Sequence, residues 1–196
     1  DGGKHDHAER RRLIAHELYH VSSRFDADLR RRTHESVGCV YKGDPITLDS
    51  ATRSKMISNP DAHEFACAIQ VTQVQNNVAG GGGKLWVMPA PVLPQSTSGT
   101  AKFSDIAVKL LVVEAINNQW RMVRGTNGEA QLLDPEQTNF NQLMAINTDY
   151  TLHAEEVAAD NFALLLRSTA GDKATDSKIT RPEFLSTFRS AVQASR

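Results

Sequence analysis

The chain has 196 residues, 40% of them apolar and 23% charged, and a net charge of −1. This is enough to bury a core without staples, and no apolar run approaches the ~20 residues needed to cross a bilayer, so no membrane span is expected. Basic and acidic residues are interleaved and offer no surface for nucleic acid; Arg10, Arg11, Arg12 and Arg30, Arg31, Arg32 read as solvated helix faces.

The first helix is expected to begin near Asp6, where Asp6 and Glu9 have the spacing of a capping box. Ile14, Leu18, Val21 and Phe25 recur at helical spacing and are expected to pack, while Leu13, His16, Glu17 and His20 fall on the other side and face outward. Tyr19 is expected in the core. A second helix is expected over "DADLRRRTHESV" and a third over "LDSATRSKMI", stopped by "SNPD", where Asn59 and Asp61 flank a turn at Pro60.

The middle of the chain changes character. "FACAIQVTQV", "KLWVMPAPVL" and "IAVKLLVVEAINNQWRMV" are rich in β-branched and aromatic residues and predict three to five strands. "AGGGGK" lies between two of them. A phosphate loop needs Gly, four residues, then Gly-Lys-Ser/Thr; Val78 and Leu85 break that pattern, so a hairpin connection is expected. Helices return with "EQTNFNQLMAIN" and then "HAEEVAADNFALLLRST", which has Val157, Phe162, Leu164 and Leu165 for packing. "GDK" breaks the chain, and "TRPEFLSTFRSAVQAS" follows with Thr180 as cap, Pro182 in the first turn and Glu183 at the box position. Helices, strands, then helices predict an α+β fold. Cys39 and Cys67 leave a disulfide or two buried thiols open.

The chemistry is concentrated in "HELYH", residues 16 to 20. His-Glu-x-x-His on a helix puts two imidazoles one turn apart, able to bind one Zn2+, with the glutamate beside the metal as a base for its water. With 7 His and 10 Glu in 196 residues, chance gives this pattern in about one shuffled chain in eighty. Catalytic zinc usually takes a third protein ligand. His5, His7, His34, His63, His153 and the carboxylates are the candidates. Glu156 and Asp160, four apart on a predicted helix, face the same way, so one could bind metal and the other hydrogen-bond a ligand histidine. Glu155 is the rival ligand; only Glu156 has Asp160 four residues on.

"HELYH" with "EVAAD" resembles the gluzincin clan of zinc metallopeptidases, the thermolysin-like group, with its His-Glu-x-x-His and downstream Glu-x-x-x-Asp. The resemblance implies His16, His20 and Glu156 as ligands of one Zn2+ per chain, Glu17 as general base and Asp160 orienting His16. More loosely, "HELYHVSSRFDADLRRR", "KMISNPDA" and "HAEEVAADNFALLL" resemble segments of a little-characterised group of bacterial metallopeptidases, with a proline more usual at Ala154. About half of the chain is covered. The clan implies a single zincin-like domain over 1–196, with 64–125 as a β-rich insertion between the ligand helices. The 135 residues between His20 and Glu156 far exceed the thermolysin-like gap. The sheet that precedes the motif helix in most zincins is therefore rebuilt from that insertion or belongs to an N-terminal portion outside this chain.

His153 and Tyr150, just before Glu156, are candidates to stabilise the oxyanion. The expectation is a zinc-dependent hydrolase, a metallopeptidase acting on a peptide or protein substrate, with an inclination towards export. The alternatives are hydrolysis of a non-peptide amide and a non-catalytic zinc-binding or interaction module on the same fold.

Overall fold

The computed structural model describes residues 2–57, 65–74, 82–93, 106–151, 153–171 and 179–194. The chain is a mixed α+β protein with a small antiparallel sheet. It divides into two compact units, one formed by Asp1–Val37 with Met144–Arg196 and the other by Gly38–Leu143.

The first unit is helical: α1 (Gly2–Phe25), α2 (Ala27–Ser36), α5 (Ala154–Thr169) and α6 (Pro182–Gln193). Helix α1 starts at Gly2, so Asp6 lies inside it and does not cap it. Asp26 separates α1 from α2 because its carboxylate accepts from the backbone N–H groups of Asp28 and Leu29, an N-cap that starts a new helix. Beyond the C-cap of α5, Gly171 takes a positive φ of 75°, the left-handed conformation that ends helices at low cost. Arg181, not Thr180, holds the N-cap position of α6. Thr180 instead donates to the side chain of Asn147, while Pro182 occupies the first turn as expected.

The face of α1 that packs is the reverse of the expected one. Ile14, Leu18, Val21 and Phe25 are 67%, 50%, 51% and 85% exposed, and Leu13 is exposed too. Ala15, Tyr19, His20 and Ser23 are buried. Tyr19 sits in a core with Ala158, Ala159, Leu165 and Phe188, against which Phe162, Phe184 and Val192 pack. The alanines of α5 let α1 approach closely, and the polar side chains of α1 are buried because α5 supplies their partners. Arg12 also departs from the expected solvated face and pairs with Asp160 at 2.9 Å.

The second unit holds a six-stranded sheet: β1 (Cys39–Tyr41), β2 (Cys67–Thr72), β3 (Lys84–Val92), β4 (Ala107–Ile116), β5 (Gln119–Met122) and β6 (Leu132–Leu133). Its order is β1-β2-β3-β4-β5, with β6 pairing β4 beside β5. It extends on both sides of 64–125. The β4–β5 hairpin turns through Asn117 and Asn118 at φ 50° and 59°, the two-residue turn whose twist suits adjoining strands. Pro89 and Pro91 pair with β4 beyond the span that β2 covers, where their missing N–H groups break no β2–β3 hydrogen bond. Cys39 and Cys67 form a disulfide between β1 and β2. Leu48, Ala68, Met88, Ala90, Leu111, Val113 and Trp120 form the core.

The third expected helix shrinks to one turn, α3 (Ser50–Arg53), capped by Asp49. The segment "EQTNFNQLMAIN" becomes a 3-10 turn at Pro135–Gln137 and the short α4 (Phe140–Met144). Asn59, Pro60, Asp61 and His63, and the first half of "AGGGGK", lie outside the described residues.

Candidate metal centre

Two helices of the first unit meet along polar faces. On α1, Arg12, His16, His20 and Ser23 recur every three or four residues and so share one side. On α5, Glu155, Glu156 and Asp160 occupy the facing turns. His153 precedes them at the N-cap position but its side chain does not cap the helix.

The Nε2 atoms of His16 and His20 are 3.1 Å apart. Glu156 Oε2 lies 3.2 Å from His16 Nε2 and 3.6 Å from His20 Nε2. Three donor atoms thus converge, and among the described residues no other trio of His, Cys, Asp or Glu is grouped closely enough to hold a metal ion. Tetrahedral ligand atoms at about 2.0–2.1 Å from zinc stand roughly 3.3 Å from one another, which is the size of this triangle.

The remaining ring nitrogens are also occupied. His16 Nδ1 donates to Asp160 Oδ1 at 3.0 Å and His20 Nδ1 donates to Glu155 Oε1 at 3.0 Å. Each imidazole is therefore held with Nε2 directed at the shared point, the arrangement that fixes ring tautomer and orientation in metal sites. The supports have their own partners. Asp160 accepts from Arg12 and Thr148; Glu155 accepts from Ser23 and from His34 Nε2 at 2.8 Å.

The electrostatics follow from these contacts. The hydrogen bonds to Asp160 and then Glu156 raise His16 to about 9 against the opposing pull of burial. Burial is the largest influence on His20 and lowers it, but Glu155 and Glu156 together outweigh it and the net shift is upward. Burial pushes the Glu155 carboxyl up; the bonds from His20, His34 and Ser23 more than offset this and hold it at about 2. Asp160 is likewise lowered overall, burial opposing and His16, Thr148 and Arg12 prevailing. Ionised carboxylates on two sides of a pair of imidazoles make a site that favours a cation.

Glu17 stands next to His16 on α1 but is exposed, with no hydrogen bond or ion pair among the described residues. His16 and Glu156 side chains keep 15% and 12% exposure against 5% for His20, so the cluster reaches solvent on one side. Burial lowers His153, the Glu156 charge working against it. Tyr150 is 36% exposed, and burial followed by the Glu156 charge raises its phenol. Of the remaining sequence candidates, His7 is exposed and His34 is directed at Glu155 instead of at the cluster. Sequence reasoning missed the roles of Glu155, His34, Ser23 and Arg12. The signal present was the i, i+4 relation of Arg12 to His16, and of His16 to His20.

Comparison with family models, curated proteins and solved structures finds no match to this chain.

Proposed function

We propose that the protein is a zinc-dependent hydrolase of the zincin type, most simply a metallopeptidase. The observation that carries this reading is the convergence of His16 Nε2, His20 Nε2 and Glu156 Oε2, with the exposed Glu17 following His16 in the same helix. His16, His20 and Glu156 would hold the ion. Bound there, zinc supplies Lewis-acid polarisation of a carbonyl and a more acidic water.

The chain's own residues do the rest. Asp160 and Glu155 hold both rings through Nδ1, so that the two Nε2 atoms face Glu156. Glu17 takes a proton from the attacking water and delivers it to the leaving nitrogen, a role open to an exposed carboxylate with no competing partner. His153, held below its ordinary value, is a neutral donor at neutral pH, and Tyr150, held above its own, keeps its proton. Both are suited to donate a hydrogen bond to a developing oxyanion. A peptide or protein is the expected substrate.

Exchanging Glu17 for Gln keeps shape and removes the base. Glu17→Gln is expected to retain zinc while losing at least ~100-fold in peptide hydrolysis, measured on a casein or mixed-peptide substrate with zinc content determined in the same preparation. Undiminished hydrolysis in that variant would refute the assigned base.

A further inference from the structure

Glu155 is only 2% exposed and its carboxylate is fully engaged. Oε1 accepts from His20 Nδ1 at 3.0 Å and from Ser23 Oγ at 2.5 Å, while Oε2 accepts from His34 Nε2 at 2.8 Å. His34 is itself buried, at 4% exposure, and comes from α2, a helix that supplies no donor to the metal cluster. Helix α2 is fastened to α1 independently of the cluster. Tyr19 Oη and Thr33 Oγ1 share a 2.6 Å hydrogen bond, and Thr33 Oγ1 also lies within hydrogen-bond distance of the Leu29 and Arg30 carbonyls of its own helix. Arg30 also reaches Ser23 O at 3.4 Å.

We infer that His34 and Ser23 are positioning residues of the metal centre, clamping Glu155 from both oxygens so that it fixes the His20 ring; the inference rests on the proposed His16/His20/Glu156 site. The physical reason is an accounting of polar groups. Without His34, Oε2 would be a carboxylate oxygen buried with one partner fewer, and the carboxylate would turn or shift to recover one. Any such turn moves Oε1 and releases the His20 ring from the orientation that aims Nε2 at Glu156 and His16. The coupling therefore runs from α2 through α5 back to α1. A pair that served only to join α2 to α5 would leave the cluster unaffected once the protein had folded.

The test measures zinc affinity by competition with a chromophoric chelator, and the visible spectrum of the cobalt-loaded protein, on the full chain and its His34→Ala, His34→Gln and Ser23→Ala variants. His34→Ala is expected to weaken zinc binding about 10- to 100-fold, the range for loss of a ligand's supporting partner, and to shift the cobalt bands. His34→Gln, whose amide can still donate to Oε2, is expected to restore at least part of the affinity. Ser23→Ala, the mildest change and the informative one should His34→Ala not fold, is expected to weaken binding in the same direction by several-fold. Parent-like affinity and cobalt spectrum in folded His34→Ala or Ser23→Ala would overturn the inference while leaving the metal site standing. Failure of the parent to bind zinc would overturn both.

Discussion

His20 shows how little of a residue's role is set by its own identity. Its imidazole is common to every motif of this kind, yet what gives it a single orientation is Glu155, 135 residues away in sequence. Removing that carboxylate leaves His20, His34 and Ser23 without their shared acceptor in a buried place. Glu155→Ala is therefore expected to cost about 3–5 kcal/mol of stability, measured by denaturant unfolding of metal-free protein. A loss below about 1 kcal/mol would contradict the clamp described here. Asp49 gives a pH prediction remote from the metal centre. The Thr52 backbone N–H, then the Thr52 and Arg124 side chains, lower its carboxyl from 3.8 to about 2. A lowered value stabilises above the ordinary pKa and is lost as pH falls through the folded one. The stability difference between the parent and Asp49→Asn is accordingly expected to shrink between about pH 4 and pH 2, followed by thermal melts; a constant gap over that range would contradict it.

At the scale of the element, α1 carries two stripes, and spacing alone does not say which one is buried. Ile14, Leu18, Val21 and Phe25 form the more apolar stripe, but Arg12, His16, His20 and Ser23 each find a carboxylate partner on α5. Buried polar groups need those partners, and once three carboxylates are presented by α5 the helix turns its polar side inward. Truncating Leu18 to Ser is expected to change stability by no more than about 0.5 kcal/mol, whereas Tyr19→Ala is expected to cost about 3–5 kcal/mol. Chemical denaturation of the two variants decides between the faces, and a large loss at Leu18 with little at Tyr19 would restore the reverse orientation. The motif was legible because His16, Glu17 and His20 lie within five residues. The carboxylates were legible as a pair, Glu156 and Asp160, while Glu155 was visible only as a competitor for the metal. Its real partners, His34 and Ser23, belong to a pairing that no local period records.

For the molecule as a whole, the order of helical, strand-rich and helical segments was enough to read an α+β chain with an antiparallel sheet. The three central segments hold four strands, β2 to β5, within the three to five expected there, but β1 and β6 outside them were not legible. β1 and β6 are three and two residues long, too short to show alternation, and they exist by pairing with β2 and β4. Nor did spacing decide the cysteines, because the disulfide follows from β1 lying beside β2. With its two cysteines 28 positions apart, chain-entropy reasoning gives that crosslink about 3.5 kcal/mol. Reduction is expected to lower the stability of the Gly38–Leu143 unit by about that amount, read from its denaturant midpoint with and without a reducing agent; an unchanged midpoint would contradict it. The candidate centre draws all its residues from the other unit, from two helices far apart in sequence.

The most direct measurement is the zinc content of the purified and zinc-reloaded chain beside its His16→Ala and Glu156→Ala variants. The site described here predicts about one zinc per parent chain and loss of it in both variants. A parent that takes up no zinc, or a Glu156→Ala variant that keeps it, would contradict the His16, His20 and Glu156 centre.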